Sequence, residues 1–424
     1  MVSIYFSEVV LAIVYFAALY YNVFWLLTLL EKKEISKKHW KILPPVSVLI
    51  PAYNEEDSIK ETIKSVLNLD YPKDKLKIIV INDGSKDNTK EIVENLVKQN
   101  SNLILINQKN GGKANALNNA LKQIDSEFIA TLDADSFVIK DTLKNLLPYF
   151  YDEEIAAVLP SMKIKDPKNV LQRMQRIEYT INTFFRMLNE RSNCIHVTPG
   201  PFSLYRTSVL KKLKGFDENC ITEDLELAVR IQKNNYKILQ TYDAEVYTLP
   251  PKTIKGLFYQ RKRWYKGGFL ACLKHKDLMF NKDYGDFGYM RMPSILILPF
   301  LSIIMFLTLA NDIRSSIFRA FNHLSMIDFD IITILKNLEF NYHLLDLKFV
   351  NVSIVLISIL ISIVIAIYSH KLINEKISKY GKTVKSLLYY MFIHPLFLAV
   401  VFIVVTYSAI FDKNYKWYSA GKRK

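Results

Sequence analysis

Acidic side chains follow two short apolar runs of the chain, at a spacing that could bind a metal ion. Asp83 follows the run 77–81, and Asp133 and Asp135 follow the run 128–132. In an extended chain, side chains i and i+2 point to the same side, so Asp133 and Asp135 present their carboxylates together. Hard oxygen ligands of this kind suit a divalent cation that takes its remaining ligands from water and phosphate. The pattern therefore predicts a site for a metal ion and a diphosphate.

The position of these acids also has an ordinary explanation, because a single aspartate at a strand end is often only a helix cap or a turn former. Polar residues follow a third run as well, since Tyr53 and Glu55 come after 46–50. Other phosphate-binding motifs are missing from the sequence. Gly112-Lys113 lacks the earlier glycine of a Walker A loop, and no Gly-x-Gly-x-x-Gly occurs. The residues therefore indicate diphosphate binding without a P-loop or a dinucleotide fingerprint.

An alternation of apolar strands and amphipathic helices must position these residues. Strands are predicted for Val46–Ile50, Lys77–Ile81, Leu103–Ile106 and Phe128–Leu132. Helices are predicted between them, and Ser58 with Glu61 is expected to form a capping box at the start of the first. This alternation predicts an α/β fold with a mostly parallel sheet covered by helices. Ligands bind such sheets at the carboxyl ends of the strands.

Four uncharged runs have the length of a membrane-spanning helix. They are Val9–Leu30, Met292–Asn311, Phe349–Ser369 and Ser386–Phe411. With a rise of about 1.5 Å per residue, about 20 residues cross the roughly 30 Å hydrocarbon core. One such run alone could be a buried core helix, but lysine-rich stretches adjoin three of these runs. The sequence thus predicts one N-terminal span and about three C-terminal spans in a lipid bilayer.

The net charge of +15 is concentrated beside these runs. Three stretches together hold +11 of it: 31–41, 370–386 and 412–424. Charge placed at the ends of membrane helices favours contact with lipid headgroups, so we predict no nucleic-acid partner. By the positive-inside rule, the chain from residue 31 onward is cytoplasmic. The basic tail contradicts a simple alternation of sides, so the crossing of 292–311 and the side of the tail stay open.

Composition excludes two further classes of protein. Half of the 424 residues are hydrophobic and 13% are aromatic, which excludes a disordered chain. The three cysteines lack the paired spacing of a zinc site or a disulfide framework. A catalytic domain of ordinary size combined with membrane helices accounts for the length.

Six short motifs occur along the chain in a fixed order. They are Pro51-Ala52-Tyr53-Asn54-Glu55-Glu56, Asn82-Asp83-Gly84-Ser85, Gly112-Lys113-Ala114, Asp133-Ala134-Asp135, Thr222-Glu223-Asp224 and Gln260-Arg261-Lys262-Arg263-Trp264. Together they resemble the processive branch of glycosyltransferase family 2, which includes cellulose, chitin, hyaluronan and poly-N-acetylglucosamine synthases. The resemblance covers about residues 44–275. Its most specific part is Thr-Glu-Asp followed by Gln-x-x-Arg-Trp.

The resemblance implies a glycosyltransferase-A-like fold and a role for each motif. Binding of the nucleotide and donor sugar is implied for these residues: Tyr53, Glu55, Asp83, Lys113, Asp133, Gln260 and Arg263. Asp135 would bind Mg²⁺ or Mn²⁺. Asp224 would be the general base, with Glu223 beside it. Trp264 would stack on the acceptor sugar.

Two of these motifs have ordinary alternatives. Thr222 and the two acids after it could simply cap the helix 225–232. The basic residues around Trp264, at positions 252, 255, 261, 262, 263 and 266, fit an interface helix whose side chains reach toward lipid headgroups. For the interface helix, both roles could hold together.

The function implied is a membrane-embedded, inverting, processive β-glycosyltransferase. It would elongate a polysaccharide from a UDP-sugar, with UDP-N-acetylglucosamine as the first choice, and pass the polymer across the membrane. One alternative is a non-processive family 2 enzyme that adds one sugar to a lipid-linked acceptor. Another, from a different class, is a transporter or receptor whose cytoplasmic domain only binds nucleotide.

The predicted organisation is a multi-pass protein of the cell membrane with a cytoplasmic catalytic domain. Its parts are a membrane helix at 1–30, the catalytic domain at 44–250, interface helices at 251–291, a membrane region at 292–411 and a basic tail at 412–424. The segment 312–348 has no assigned role, and an export partner could bind there.

Overall fold

The computed structural model describes residues 2–31, 36–326, 328–329, 349–373 and 383–411. Its helices are α1 (Val2–Leu30), α2 (Ile59–Leu67), α3 (Thr89–Val97), α4 (Lys113–Leu121), α5 (Thr142–Leu146), α6 (Val170–Arg191), α7 (Thr207–Lys212), α8 (Glu223–Lys233), α9 (Ile254–Lys274), α10 (Met292–Met326), α11 (Phe349–Leu372), α12 (Thr383–Leu388) and α13 (His394–Phe411). Its strands are β1 (Val46–Ala52), β2 (Leu76–Asp83), β3 (Leu103–Gln108), β4 (Phe128–Thr131), β5 (Ser136–Val138), β6 (Ile155–Ile164), β7 (Ser203–Arg206) and β8 (Lys237–Thr248).

The strands form one sheet in the order β3-β2-β1-β4-β7-β6-β8-β5. β1 lies between β2 and β4, with Val46 paired to both Leu76 and Phe128, and β1 to β4 are all parallel. β7 is antiparallel to β4 and to β6, and β5 is antiparallel to β8. The predicted α/β fold with flanking helices is therefore confirmed. The antiparallel pairings beyond β4 make the sheet mixed, which the sequence pattern did not predict.

Helices cover both faces of the parallel half of the sheet. Val48 and Ile50 of β1 pack on one face with Ile63 of α2, whereas Leu49 packs on the other face with Leu117 of α4. All five side chains are at most 1% exposed. Strands buried on both faces must be apolar at every position, which is why they are continuous apolar runs in the sequence.

The capping box predicted at Ser58 and Glu61 is wrong. The Ser58 side chain makes no capping hydrogen bond and instead donates to Glu55 Oε2 at 2.9 Å. A capping Ser58 would accept a hydrogen bond from a backbone N–H in the first turn of α2, whereas here its hydroxyl is turned toward the partly buried carboxylate of Glu55 in the loop after β1. A capping box forms at the start of α6 instead, between Asn169 and Gln172.

Three helices within the described ranges are long and apolar enough to cross a membrane. They span Ala12–Leu30, Phe287–Met326 and Lys385–Phe411. α11 covers the remaining predicted run, Phe349–Ser369. α10 has 35 residues and continues past Asn311, where the sequence predicted that the span would end. The charge at Asp312 ends the apolar run but not the helix, because an exposed polar side chain does not disrupt helical hydrogen bonds. The basic tail 412–424 lies outside the described residues.

The apolar helices pack against the α/β domain through α6 and α9. Trp25 of α1 makes an edge contact with Phe185 of α6, with ring centroids 5.7 Å apart. Tyr265 of α9 makes a similar contact with Phe402 of α13, at 4.6 Å. α9 carries the Gln-x-x-Arg-Trp motif, so this motif lies between the domain and the last apolar helix.

Candidate active site

Lys113 connects two motifs that are far apart in the sequence. It is the first residue of α4, and its Nζ lies 2.6 Å from Asp133 Oδ1 and 2.8 Å from Glu223 Oε1. Burial lowers the pKa of Lys113, but the charges of Asp133 and Glu223 outweigh it and raise the pKa above its usual range. The ammonium therefore stays charged and holds the Asp-x-Asp pair next to the start of α8.

A glycine loop closes over this ion pair. The backbone N–H of Asp133 donates to the carbonyl of Gly200 at 3.0 Å. A Cβ atom at Gly200 would lie 2.5 Å from Lys113 Nζ and 2.6 Å from Asp133 Oδ2. Gly200 belongs to the loop 198–202, which leads into β7. No larger residue fits there without displacing the charged groups.

The two acids of Thr222-Glu223-Asp224 have pKa shifts of opposite sign. Burial raises the pKa of Glu223, but Lys113 and Arg263 reverse this, so that the net shift is downward. Burial and the neighbouring charge of Glu223 raise the pKa of Asp224 to about 6. Two adjacent carboxylates whose environments separate their pKa values are typical of acid–base sites. Glu223 is the ion-paired partner, and Asp224 is the group that can exchange a proton near neutral pH.

A hydrogen bond from the glycine loop fixes the backbone at Asp224. Its carbonyl accepts a hydrogen bond from Thr198 Oγ1 at 2.8 Å, and its Oδ1 accepts one from the N–H of Leu225 at 2.9 Å. Thr222 precedes α8, but its side chain makes no capping hydrogen bond, and its buried Oγ1 has no hydrogen-bond partner within the described ranges. Capping by the Thr222 side chain therefore does not explain this motif.

The carboxylates of Asp133, Asp135 and Glu55 lie within electrostatic range of one another near the end of β4. Burial and the charge of Asp133 raise the pKa of Asp135 to about 6, and burial and the charge of Asp135 raise that of Glu55 to about 7. A divalent cation relieves such repulsion, and these oxygens are the ligands that Mg²⁺ and Mn²⁺ prefer. Within the part of the chain that the structure describes, no three His, Cys, Asp or Glu side chains are grouped closely enough to hold a metal ion. The donor set thus fits an ion that two protein carboxylates bind together with a substrate diphosphate.

Asp83 at the end of β2 orders the loop before Lys113. Its two carboxylate oxygens accept hydrogen bonds from the N–H groups of Gly111 and Gly112, each at 2.8 Å, and Oδ1 also accepts one from Gln108 Nε2. Gly112 has a φ of +89°, which favours glycine. Gln108 is a site residue that the sequence analysis missed. Tyr53 and Glu55 lie in the neighbouring loop after β1, at the same edge of the sheet.

The Gln-x-x-Arg-Trp motif approaches Thr-Glu-Asp because α9 contacts the start of α8. A Cβ atom at Gly267 would lie 2.2 Å from Thr222 Oγ1, so only glycine permits this approach. The positive charge of Arg263 contributes to the downward pKa shift of Glu223 and opposes the upward pKa shift of Asp224, so its guanidinium lies within electrostatic range of both. The structure therefore brings together the predicted residues Lys113, Asp133, Glu223, Asp224 and Arg263.

Arg261 contacts the other two residues of this motif, Gln260 and Trp264, a role that the sequence did not predict for it. Its side chain is fully buried, and its Nη2 lies 2.6 Å from Glu178 Oε2 on α6. Its Nη1 donates to Gln260 Oε1 at 2.5 Å, and its guanidinium carbon lies 4.2 Å from the ring centroid of Trp264. Tyr179 of α6 contacts the Trp264 ring as well, at 6.5 Å between centroids. The i, i+3 spacing of Arg261 and Trp264 was the available signal.

Two basic residues of α9 therefore do not reach toward the membrane surface. Arg261 is buried as described, and Lys266 is 1% exposed and donates to the carbonyl of Ser408 on α13 at 3.0 Å. The interpretation of these two as interface residues is wrong, because each finds an internal partner on another helix.

Comparison with known families agrees with this geometry. The model of the family described as "Glycosyl transferase family 2" matches residues 47–214. The chain carries a family 2 glycosyltransferase domain. Poly-beta-1,6-N-acetyl-D-glucosamine synthase of Staphylococcus aureus (strain MSSA476) is 33% identical over 235 residues, 55% of this chain and 56% of the relative. The synthase of that name from Staphylococcus epidermidis (strain ATCC 35984) is 34% identical over 231 residues, 54% and 56% of the two chains.

The chain thus matches just over half the length of these curated relatives. Among solved structures, the mannosyltransferase PcManGT from Pyrobaculum calidifontis, in complex with GDP-Man and Mn²⁺, matches with a TM-score of 0.63. The match covers 96% of this chain and 99% of that one at 18% identity, which shows the fold alone. The family and fold that the motifs implied are confirmed. The match to the family model covers residues 47–214 and tests no single residue, so the roles of all the predicted site residues, including Glu223, Asp224 and the Gln-x-x-Arg-Trp residues, stay predictions.

Proposed function

We propose that the family 2 domain belongs to a membrane-embedded, inverting, processive β-glycosyltransferase that elongates a polysaccharide from a UDP-sugar. Residues 44–250 would be its cytoplasmic catalytic domain. The observation that carries the proposal is the meeting of Asp133, Lys113 and Glu223, with Asp224 and Arg263 beside them. A donor site and a proton acceptor are thereby adjacent, which is what a glycosyl transfer requires.

Asp224 has the properties of the general base. Its pKa of about 6 leaves the carboxylate mostly ionised at neutral pH and still basic enough to accept the proton of an acceptor hydroxyl. As this oxygen forms a bond to the anomeric carbon, the bond from that carbon to the diphosphate breaks, and the electron pair stays on the leaving phosphate. Attack opposite the leaving group inverts the anomeric configuration.

The positive groups of the site stabilise the leaving diphosphate. Arg263 lies beside the acids of α8, and Gln260, held by Arg261, comes one helical turn earlier. Preorganised cations aimed at developing negative charge lower the barrier because they need no reorganisation during the reaction. Asp133 and Asp135 would hold Mg²⁺ or Mn²⁺, which when bound supplies further positive charge to the diphosphate.

Two observations support a polymer as the product. The matched relatives are named as synthases of poly-β-1,6-N-acetyl-D-glucosamine, which makes UDP-N-acetylglucosamine the first donor to test. α9 also packs both on the start of α8 and on α13, so the proposed acceptor platform Trp264 lies next to a helix apolar enough to cross a membrane. A growing chain could pass from this platform along the apolar helices.

The test is an assay on the detergent-purified full chain with Mn²⁺ or Mg²⁺ and a panel of UDP-sugars, recording UDP release and product size. Release of UDP from UDP-N-acetylglucosamine with a ladder or a high-mass polymer is the expected result. A product that carries one added sugar, or release only when a lipid acceptor is supplied, would instead identify the non-processive alternative. No UDP release from any donor would overturn the assignment of the donor.

A further inference from the structure

Three basic side chains lie where the domain meets the apolar helices, apart from the residues discussed above. Arg186 is on α6, His196 precedes the glycine loop, and Arg291 leads directly into α10. Tyr20 of α1 donates to the sulfur of Met290, so α1 also borders the position of Arg291. We call Arg186, His196 and Arg291 the arginine cluster.

The guanidinium groups of the arginine cluster have few partners. Arg186 is 6% exposed, and its Nη2 donates to the neutral Thr183 Oγ1 at 3.1 Å. Arg291 Nη2 makes a 2.7 Å hydrogen bond with His196 Nε2. The Nε atoms of both arginines are buried, and they have no hydrogen-bond partner among the described residues. No carboxylate in the described ranges forms an ion pair with either arginine, whereas Arg261 nearby pairs with Glu178.

Among the residues that the structure describes, the arginine cluster therefore carries buried positive charge that no carboxylate pairs with. Burial lowers the pKa of Arg186 to about 10, which still leaves it protonated at neutral pH. Burial and the charges of Arg291 and Arg186 lower the pKa of His196 well below its usual range, so His196 is neutral and accepts the hydrogen bond from Arg291. A buried charge is costly unless it is paired, and buried donors are almost always satisfied. Both facts call for an anion with several acceptor oxygens.

The surroundings indicate which anion. The Tyr242 hydroxyl is buried and has no hydrogen-bond partner in the part of the chain that the structure describes. It is close enough to interact with the charge of Arg186, so it adds a neutral donor. The N–H groups of a guanidinium match the spacing of two phosphate oxygens. A hydrogen bond between a guanidinium and a phosphate is also stronger than one between a guanidinium and a neutral hydroxyl, because both partners are charged. α1 and α10 next to the cluster are exposed apolar helices of membrane length, so a phosphate that reaches it can arrive on a lipid.

We propose that Arg186 and Arg291 bind the phosphate group of a membrane lipid. This lipid is either a phospholipid of the bilayer or a lipid-linked acceptor of the transferred sugar. Binding at this site does not depend on polymerisation, so it can be measured without any sugar donor.

The test is a titration of the detergent-solubilised full chain with dodecyl phosphate and, separately, with dodecanol, followed by the midpoint of thermal unfolding. Dodecyl phosphate is expected to raise the midpoint of the wild type, and dodecanol is not. Arg186→Gln and Arg291→Gln should each bind dodecyl phosphate at least tenfold more weakly. Arg319→Gln is the matched control, because Arg319 is an exposed arginine of α10 whose guanidinium contacts Ser316. Equal binding by Arg186→Gln and the wild type, or an equal effect of dodecanol, overturns the proposal.

A second variant keeps the test valid if a glutamine variant folds poorly. Arg186→Met removes the buried charge and keeps most of the side-chain volume, so it should unfold at a higher temperature than the wild type without lipid phosphate. It should also lose the stabilisation by dodecyl phosphate. A lower midpoint together with an unchanged response to dodecyl phosphate would contradict a phosphate site.

Native mass spectrometry and a transfer assay then separate the two lipid sources. A phospholipid that copurifies with the wild type and is lost from Arg186→Gln identifies a bilayer lipid. Transfer of labelled sugar to added polyprenyl phosphate by the wild type, at least tenfold slower in Arg186→Gln, identifies a lipid-linked acceptor. Either result supports the phosphate site, and an unchanged lipid content with unchanged transfer rules it out.

Discussion

The two halves of the candidate site are held together by different kinds of contact. In the half built on β1 to β4, backbone loops at strand ends present the acids, and Asp83 is fixed by N–H groups less than 30 residues away. In the half built on α8 and α9, ion pairs and glycine contacts between helices do the positioning, as for Arg261 with Glu178 on α6. Strand-end loops tolerate local change, whereas a helix held by a few long-range contacts moves as a unit when one contact is lost. Substitutions in the second half should therefore alter activity and stability together.

The largest effect is expected from Asp224, where the two halves meet. Asp224→Asn removes the proposed base and should lower kcat by about 10² to 10⁴, equivalent to about 3 to 5 kcal/mol of barrier. UDP release with the best donor measures it. Asp74→Asn, at an exposed position of the same domain, is the control and should leave kcat unchanged. Near-full turnover by Asp224→Asn would remove Asp224 from the mechanism.

The Glu178–Arg261 pair should show that the helix half depends on a buried charge. Glu178→Gln leaves Arg261 buried without its partner, which costs about 3 to 5 kcal/mol of unfolding free energy. Arg261→Lys keeps the positive charge but loses the second guanidinium nitrogen, which reaches Gln260. It should therefore retain more of the wild-type stability than of the wild-type kcat. Thermal unfolding and kcat, measured side by side, test both statements.

The control for this pair is the surface ion pair of Lys144 with Asp70, at 2.6 Å. Both side chains are largely exposed, so Lys144→Gln should cost at most about 1 kcal/mol. The double variant Glu178→Leu with Arg261→Met should be less destabilised than Glu178→Gln, because no unpaired charge remains. The loss of unfolding free energy in the double variant could instead equal the sum of the losses in Glu178→Leu and in Arg261→Met. That result would mean that packing, not charge, fixes the position of α9.

Substitutions at two adjacent glycines of α9 can distinguish the close approach of α9 to α8 from the intrinsic helix propensity of glycine. A Cβ at Gly267 would lie 2.2 Å from Thr222 Oγ1, whereas one at Gly268 would lie 3.4 Å from the nearest atom, a methyl of Leu225. Gly267→Ala should therefore push α9 away from α8, cost about 1 to 3 kcal/mol and lower kcat. Gly268→Ala should stabilise the helix by up to about 1 kcal/mol at similar kcat. Equal activity of the two variants would show that the approach of α9 to α8 is not needed.

The smallest effect at neutral pH is expected from titration. Asp224 must be ionised to act as a base, so kcat should fall by about tenfold per pH unit below about pH 6 and level off above it. An ordinary aspartate would place this limb near pH 4. Glu223→Gln removes the neighbouring charge that raises the pKa of Asp224, so the acidic limb should move to lower pH. A limb that stays in place in Glu223→Gln would assign the titration to another group.

The half of the site on the parallel sheet was predictable, and the helix half was predictable only as a set of motifs. β1 to β4 were located from apolar runs, because strands buried on both faces are apolar throughout. Because these strands are parallel, the acids that follow them lie at one edge of the sheet. The capping box at Ser58 failed because Glu55 competes for the same hydroxyl. The antiparallel pairings of β7 were not predicted, since pairing partners are not encoded in a local period.

By itself, the sequence determined the fold family, the strand-end acids, the membrane-length runs and the identity of the motif residues, because each of these depends on short-range patterns or on ordered motifs. Only the tertiary structure decided that Lys113 joins Asp133 to Glu223, that Arg261 is buried and that, among the described residues, no carboxylate forms an ion pair with Arg186 or Arg291. Whether a charged side chain is exposed or buried depends on the partner brought to it, and Glu178 lies 83 residues from Arg261. Such a pairing follows from the packing of whole helices, and no local pattern contains it.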